Sequence, residues 1–316
     1  MSEVFDVAII GAGPVGLHAA LKSSLLNMTV AVIDKGRRHS RAFFVPRLAN
    51  IPGHYGVSGA NLLELQKDEL KKHSDKARII ENTEVTDIVW NGDRFYLKCK
   101  SKETGLEVTA KNVILATGVV DRQPEIGGSI KPILPYADRG IAMYCMLCDG
   151  HSIKGKDACV LGHTAYSVSV AIDLLYFGPS SVTLLTNGMG ILDRKTTEKL
   201  AENKIPVIAE EIVDLAGLKE NSFGAVLKSG AMEFFDFCFV ALGWYSMGTG
   251  LGLKLGGHVD EDGFLVTNED GQILKEDGSP VEHIFAAGDV RNTWNQIPVG
   301  WGDAEKAVIY IWANYM

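Results

Sequence analysis

The 316-residue sequence lacks an excess of positive charge, has no long apolar run and carries few cysteines. Each shortage removes a class of function. With 31 Lys and Arg against 39 Asp and Glu the net charge is -8, so binding to nucleic acid, which rests on neutralising phosphates, is not expected. No segment is long and apolar enough to span a bilayer, so no membrane partner is expected either. The N-terminal stretch has no basic leader, carries Glu3 and Asp6, and breaks into glycines within a few residues, unlike a secretory signal. The five cysteines are an odd set in a large chain, which excludes a small disulfide scaffold and points to a reducing compartment, the cytoplasm. Low-complexity tracts and short-period repeats are missing as well.

What is present describes a globular chain long enough for two domains. Hydrophobic residues make up 46% of it, and the 34 glycines call for many tight turns or close backbone approaches. Phe5 to Ile10 reads as a buried strand, Gly11-Ala-Gly13-Pro-Val-Gly16 as a turn, Val15 to Leu26 as a helix and Thr29 to Asp34 as a second strand. A second unit of the same plan runs from the strand Ala158 to Leu161 through Gly162-His-Thr164-Ala-Tyr-Ser167, a helix to Phe177 and the strand Val182 to Leu185. Between them, residues 84 to 99 alternate as an antiparallel hairpin leading into Asn112 to Gly118. Further strands are expected at Phe237 to Leu242 and within His283 to Asp289. The fold class is α/β with two Rossmann-like nucleotide-binding domains, the second inserted in the first: residues 1–118 plus 244–316, and 119–243.

The first glycine motif follows a strand, opens a helix and is trailed by an acid at the end of the next strand. Gly11 permits the tight turn, Gly13 lets the backbone approach a pyrophosphate, and Gly16 allows close helix packing. Pro14 opens the helix whose N-terminus would face the phosphates, and Asp34, with Lys35 beside it, is placed to hold an adenosine ribose. The motif alone leaves FAD and NAD open. The run Lys35-Gly-Arg37-Arg38-His39-Ser40-Arg41, with Arg47 nearby, is basic on an acidic background and would suit an acidic partner or a cofactor phosphate, or be only a solvated loop.

Tyr144-Cys-Met-Leu-Cys-Asp149-Gly150 is a CxxC pair. At a helix start such a pair stabilises one thiolate and can close a small disulfide. No second CxxC or closely spaced Cys/His pair accompanies it, so no metal site is expected. Cys99, Cys159 and Cys238 lie in or beside apolar strands and read as core.

The segment resembles the Cys-Ala-Thr-Cys-Asp motif of the low-molecular-weight thioredoxin reductases, and the similarity spans nearly the whole chain. The resemblance implies an FAD-dependent disulfide oxidoreductase in which Cys148 exchanges electrons with the flavin, Cys145 attacks the target disulfide and Asp149 moves protons. First-turn charge is the plainer reading of Asp149. Ala116-Thr117-Gly118 and Ala286-Ala-Gly288-Asp289 are similar to the family's two strand-end motifs, the second placing Asp289 on the ribityl chain. Gln296-Ile297, Asn50 and Val85 stand where the family has further flavin contacts. Trp301, in an aromatic-rich stretch with Trp294, Tyr310, Trp312 and Tyr315, is a candidate flavin neighbour, with core or dimer-interface packing the plainer alternative. Thioredoxin or a similar dithiol protein is the implied partner, and a homodimer the implied assembly.

The pattern breaks in the second unit, where the family's GxGxxA becomes Gly162-His-Thr164-Ala-Tyr-Ser167 and the basic run after the next strand becomes Thr186-Asn-Gly-Met-Gly190. NADPH is therefore not expected to bind there; the altered unit would stay empty or take another nucleotide, a second flavin among them. This resembles the pyridine-nucleotide-independent branch of the family, which includes ferredoxin-dependent flavin thioredoxin reductases and deeply rooted thioredoxin-reductase-like flavoproteins, and so implies ferredoxin as a donor. A flavin-dependent dithiol oxidase using oxygen and a flavin-bound redox sensor or binding module are the alternatives.

Overall fold

The computed structural model describes residues 3–101, 105–190 and 194–316. Their contacts form two compact units: one of the residues up to Phe44 with Val57–Val120 and Ser246–Met316, the other of Val45–Gly56 with Asp121–Tyr245.

The first unit opens with β1 (Val4–Ile10), α1 (Pro14–Leu25) and β2 (Val30–Ile33), continues through α2 (Gly59–Lys71), β3 (Ala77–Ile80) and the antiparallel hairpin of β4 (Glu84–Trp90) and β5 (Phe95–Lys100), and reaches β6 (Gly105–Leu115). The chain leaves along β7 (Val119–Asp121).

The second unit then lays down α3 (Leu134–Asp138), β8 (Ala142–Met143), α4 (Met146–Asp149), β9 (Asp157–Leu161), α5 (Ala165–Leu174), β10 (Ser181–Leu185), α6 (Arg194–Glu202) and β11 (Val207–Ile208). It ends with the antiparallel trio β12 (Ile212–Ala216), β13 (Phe223–Leu227) and β14 (Met232–Phe235), followed by β15 (Phe237–Val240). The chain returns along β16 (Trp244–Met247), which pairs with β7, and completes the first unit with α7 (Gly250–Lys254), β17 (Gln272–Leu274), β18 (Pro280–Ala286) and α8 (Ile297–Tyr315).

In the first unit the strands run β17-β18-β6-β1-β2-β3, with the β4–β5 hairpin joined to β6. Val7, Ile9, Val30 and Val32 pack under α1, α2 and α8 with Leu17, Leu63 and Ala304. Ala8, Ile10, Ala31 and Ile33 face the hairpin through Ile88, Phe95 and Leu97. Both faces are covered, which is why β1 and β2 are almost continuously apolar rather than alternating.

The second unit has the order β11-β10-β9-β15-β8, all parallel. One face takes α5 through Val168, Ala171 and Leu174, and the other takes the antiparallel trio through Phe223 and Ala225. Cys159 and Cys238 sit side by side on the latter face, fully buried, and Cys99 is buried in the first unit, so all three belong to the cores. The sequence gives no warning that Val45–Gly56, expected within the first domain, packs with the second unit.

Candidate active site

The nucleotide-type turn of the first unit is built by close packing. Gly11 has a φ of +109°, and a β-carbon there would stand 2.4 Å from the Ala116 carbonyl oxygen. On Gly16 it would stand 1.9 Å from the Gly11 carbonyl oxygen. Both glycines are demanded by the fold itself. Gly13 is different, because its nearest neighbour would be the Ser40 hydroxyl at 3.6 Å. Its bare backbone, the N-cap of α1, leaves the helix N-terminus approachable, with Pro14 at the first helical position where no N–H is needed.

Asp34 closes the turn from the end of β2. Its two carboxylate oxygens accept the Ala12 and Gly36 N–H groups, each at 2.7 Å. Lys35 turns to Glu84 at 2.7 Å, and Val85 is buried in the core, so a ligand contact at that position is left to its backbone. The Pro14 carbonyl accepts from Gln66 Nε2 at 2.9 Å and from Trp301 Nε1 at 3.1 Å. The Trp301 ring stacks on His18, 5.6 Å between centroids, so it clamps α8 to the start of α1.

The C-terminal motif meets this turn from the other side. Gly288 has a φ of +74°, and a β-carbon on it would lie 3.0 Å from Val15 in the first turn of α1. Asp289 follows, its Oδ2 3.5 Å from Arg41 Nη1, both side chains about a quarter exposed. From behind, Asp303 accepts the Gly288 N–H at 3.3 Å and pairs with Arg291 at 3.0 Å. Burial pushes the Asp303 carboxyl above its ordinary value, against the lowering pull of Arg291. Gln296 caps α8 and Ile297 begins it. At the end of β6, the Thr117 hydroxyl donates to the Gly248 carbonyl at 2.6 Å, beside Ala116 and a left-handed Gly118. Asn50 belongs to the segment packed with the second unit and is half-buried.

These residues fit a dinucleotide. An open glycine, a helix N-terminus, a ribose-side carboxylate and a second carboxylate converge within one unit. Asp303 was not legible as a site residue, because Glu305 and Lys306 follow it in the sequence and only the fold shows that Asp303 is the buried one. Of the basic run, Lys35, Arg37 and Arg41 pair with Glu84, Glu64 and Asp289, while Arg38 and His39 stay exposed. The cluster is thus less of an open cationic surface than its sequence promises.

In the second unit Cys145 and Cys148 form a disulfide with 5.3 Å between their Cα atoms. Cys145 follows β8 and is the N-cap of α4, and its sulfur accepts the Cys148 N–H at 3.1 Å. That donor favours a thiolate at Cys145 once the pair is reduced. Both cysteines are half-buried, Leu147 between them is 54% exposed, and Asp149 ends the same short helix. Beneath, the Tyr144 hydroxyl donates to Gln123 Oε1 at 2.5 Å, and burial pushes its pKa well above the tyrosine range, so it remains a neutral donor. Gly150 is required where the chain passes Phe177, since a β-carbon would come within 2.7 Å of that ring.

The altered glycine turn of the second unit is closed by its own side chains. Thr164 caps α5, with its hydroxyl accepting the Ser167 N–H at 3.4 Å and its N–H donating to Ser167 Oγ at 3.1 Å. The fully buried Ser167 hydroxyl also donates to the Ala241 carbonyl at 2.7 Å, and the Tyr166 side chain is 54% exposed at the helix start. After β10, Asn187 is fixed by the Glu125 carbonyl and the Ile212 N–H, each at 2.8 Å.

A family model for pyridine nucleotide-disulphide oxidoreductases matches residues 5–304. The thioredoxin reductase of Bacillus subtilis is 28% identical over 97% of this chain and 94% of its own length, and that of Listeria monocytogenes 27% identical over 96% and 92%. The crystal structure of thioredoxin reductase from Streptococcus pyogenes superposes with a TM-score of 0.83 at 25% identity, covering 99% of this chain and 98% of that one. The matched span contains both nucleotide-type turns and the cysteine pair, and the chain belongs to the pyridine nucleotide-disulphide oxidoreductase family, as a flavoprotein disulfide oxidoreductase similar to the low-molecular-weight thioredoxin reductases.

Proposed function

We propose that the chain reduces the disulfide of thioredoxin or a similar dithiol protein through FAD and the Cys145–Cys148 pair, using an electron donor other than NADPH. The observation that carries the second half is the capping box of Thr164 and Ser167, which occupies two N–H groups at the start of α5 and puts side chains where a pyrophosphate would approach bare backbone. Asn187, where a cation for the 2'-phosphate would be required, is an uncharged side chain tied to backbone. Ferredoxin, a small acidic one-electron carrier, is the donor class that the resemblance implies, and Arg38 supplies exposed positive charge for it.

Gly11, Gly13, Pro14, Gly16, Asp34, Thr117, Asp289 and the start of α8 would hold FAD, which when bound would supply the two electrons that reduce the Cys145–Cys148 disulfide. Reduced Cys145 then attacks the partner's disulfide as a thiolate, forming a mixed disulfide and releasing one partner thiol. Cys148 attacks Cys145 Sγ, which reforms the internal disulfide and frees the second partner thiol, Asp149 delivering the proton.

Anaerobic titration of the flavin spectrum tests this reading. Reduced ferredoxin is expected to bleach the flavin and NADPH to leave it oxidised. Rapid bleaching by NADPH would overturn the donor assignment, while bleaching by dithiols alone with fast recovery in oxygen would replace the reductase by a dithiol oxidase.

A further inference from the structure

We infer that Arg41 is a cofactor-binding residue, the cation that meets the diphosphate of FAD at the start of α1. The inference rests on the first unit holding FAD. Three contacts place the side chain. Ser40 Oγ is the atom that faces the open side of Gly13, so the 3-10 turns Arg37–His39 and Arg41–Phe44 flank the glycine turn. Gly288 lies against Val15 in the first turn of α1, which puts Asp289 at the same helix end. Arg41 Nη1 is 3.5 Å from Asp289 Oδ2, so the guanidinium stands there too.

The loop that carries Arg41 is fixed. Phe43 packs against the core beneath α1, its ring meets Phe44 edge-on at 5.2 Å, and the Arg37 guanidinium lies 5.5 Å over it. Arg41 is therefore held in place rather than reaching from a solvated tail.

Charge decides what it is for. A diphosphate brings two negative charges to a place already lined by the Asp34 and Asp289 carboxylates, and the helix end offers only about half a unit of positive charge. Among the described residues, Lys35, Arg37 and Arg291 face Glu84, Glu64 and Asp303 and Arg38 is exposed, whereas Arg41 faces Asp289, one of the carboxylates at this helix end. A guanidinium can satisfy a phosphate oxygen and Asp289 at once, because its five N–H donors fan out in one plane. In that arrangement Arg41 also orients Asp289 toward the cofactor.

The test measures FAD dissociation from the full-length holoprotein at low and high salt for wild type, R41M, R41K, D289N and R41M/D289N. Replacing Arg41 by Met should weaken FAD by roughly ten- to a hundredfold at low salt, with the gap narrowing at high salt and R41K recovering part of it. A direct phosphate contact predicts that R41M still weakens binding in the D289N background. If R41M retains FAD within about twofold of wild type, or its effect disappears once Asp289 is neutralised, the inference is overturned. Should R41M fail to fold, judged by circular dichroism, R41K carries the test. A lysine variant as salt-independent as D289N, with wild type equally insensitive, overturns it too. A wild-type chain that takes up no FAD would instead overturn the flavoprotein reading beneath it.

Discussion

The Ser167 hydroxyl donates to the carbonyl of Ala241 at 2.7 Å, which ties the first turn of α5 to the end of β15. A β-carbon on Gly162 would fall 2.2 Å from the same hydroxyl, so the turn is packed around it. The serine is thus a structural member of its turn. Ser167→Ala should lower stability by about 1–2 kcal/mol, from a lost cap and a buried carbonyl short of its donor. It should not bring NADPH reactivity, because Asn187 remains uncharged. Urea unfolding and stopped-flow mixing with NADPH check the two halves.

The second and third glycines of the first turn, Gly13 and Gly16, separate binding from folding. Gly16→Ala drives a β-carbon into the Gly11 carbonyl and should cost about 3 kcal/mol or more, while Gly13→Ala meets nothing closer than 3.6 Å. Flavin-free G13A should melt near wild type, yet its flavin content should fall, with affinity reduced on the order of tenfold or more. Melting of the flavin-free proteins is the fair comparison, since bound cofactor raises apparent stability by mass action.

Only one pair of cysteines should be reactive. Cys99, Cys159 and Cys238 are buried, and burial pushes the Cys99 thiol up to about 11. An Ellman assay on the native oxidised protein should find almost no fast thiol, and on the reduced protein the two of Cys145 and Cys148. Cys145→Ser or Cys148→Ser should each lower disulfide reduction by on the order of a thousandfold or more, because either change removes half of a two-thiol cycle. A slow residual rate with full flavin content would locate the defect in exchange rather than in cofactor binding.

Tyr144 gives a dependence on pH with a definite sign. Its folded pKa lies above the ordinary value of 10.0 because of burial. Above about pH 10 the unfolded chain therefore loses a proton that the folded chain keeps, so stability falls as pH rises through that point. Tyr144→Phe leaves Gln123 Oε1 without this donor and should cost about 1–2 kcal/mol at pH 8. The gap between wild type and Y144F should narrow above pH 10, as read from chemical unfolding at pH 8 and 10.5.

The parts of the molecule legible in the sequence are those governed by local rules. The β1-α1-β2 unit announced itself through buried apolar strands, a glycine turn and a following acid, and the observed elements agree with that reading to within one residue at most ends. The cysteine pair was legible for the same reason, since a CxxC at a helix start is a contiguous signal. What stayed hidden depends on contacts distant in sequence. Nothing local shows that Arg41 meets Asp289 across 248 positions, that Trp301 lies on His18, or that Lys35 and Arg37 turn to glutamates. The basic run looked like a surface because charge patterning carries no information about partners folded in from elsewhere.

The capping box on α5 also decides how its turn responds to substitution. Any single substitution of Thr164 or Ser167 by glycine would remove hydrogen bonds at once. Such a turn is self-sealing: its polar groups are already spent on one another, so opening it takes coordinated changes rather than one.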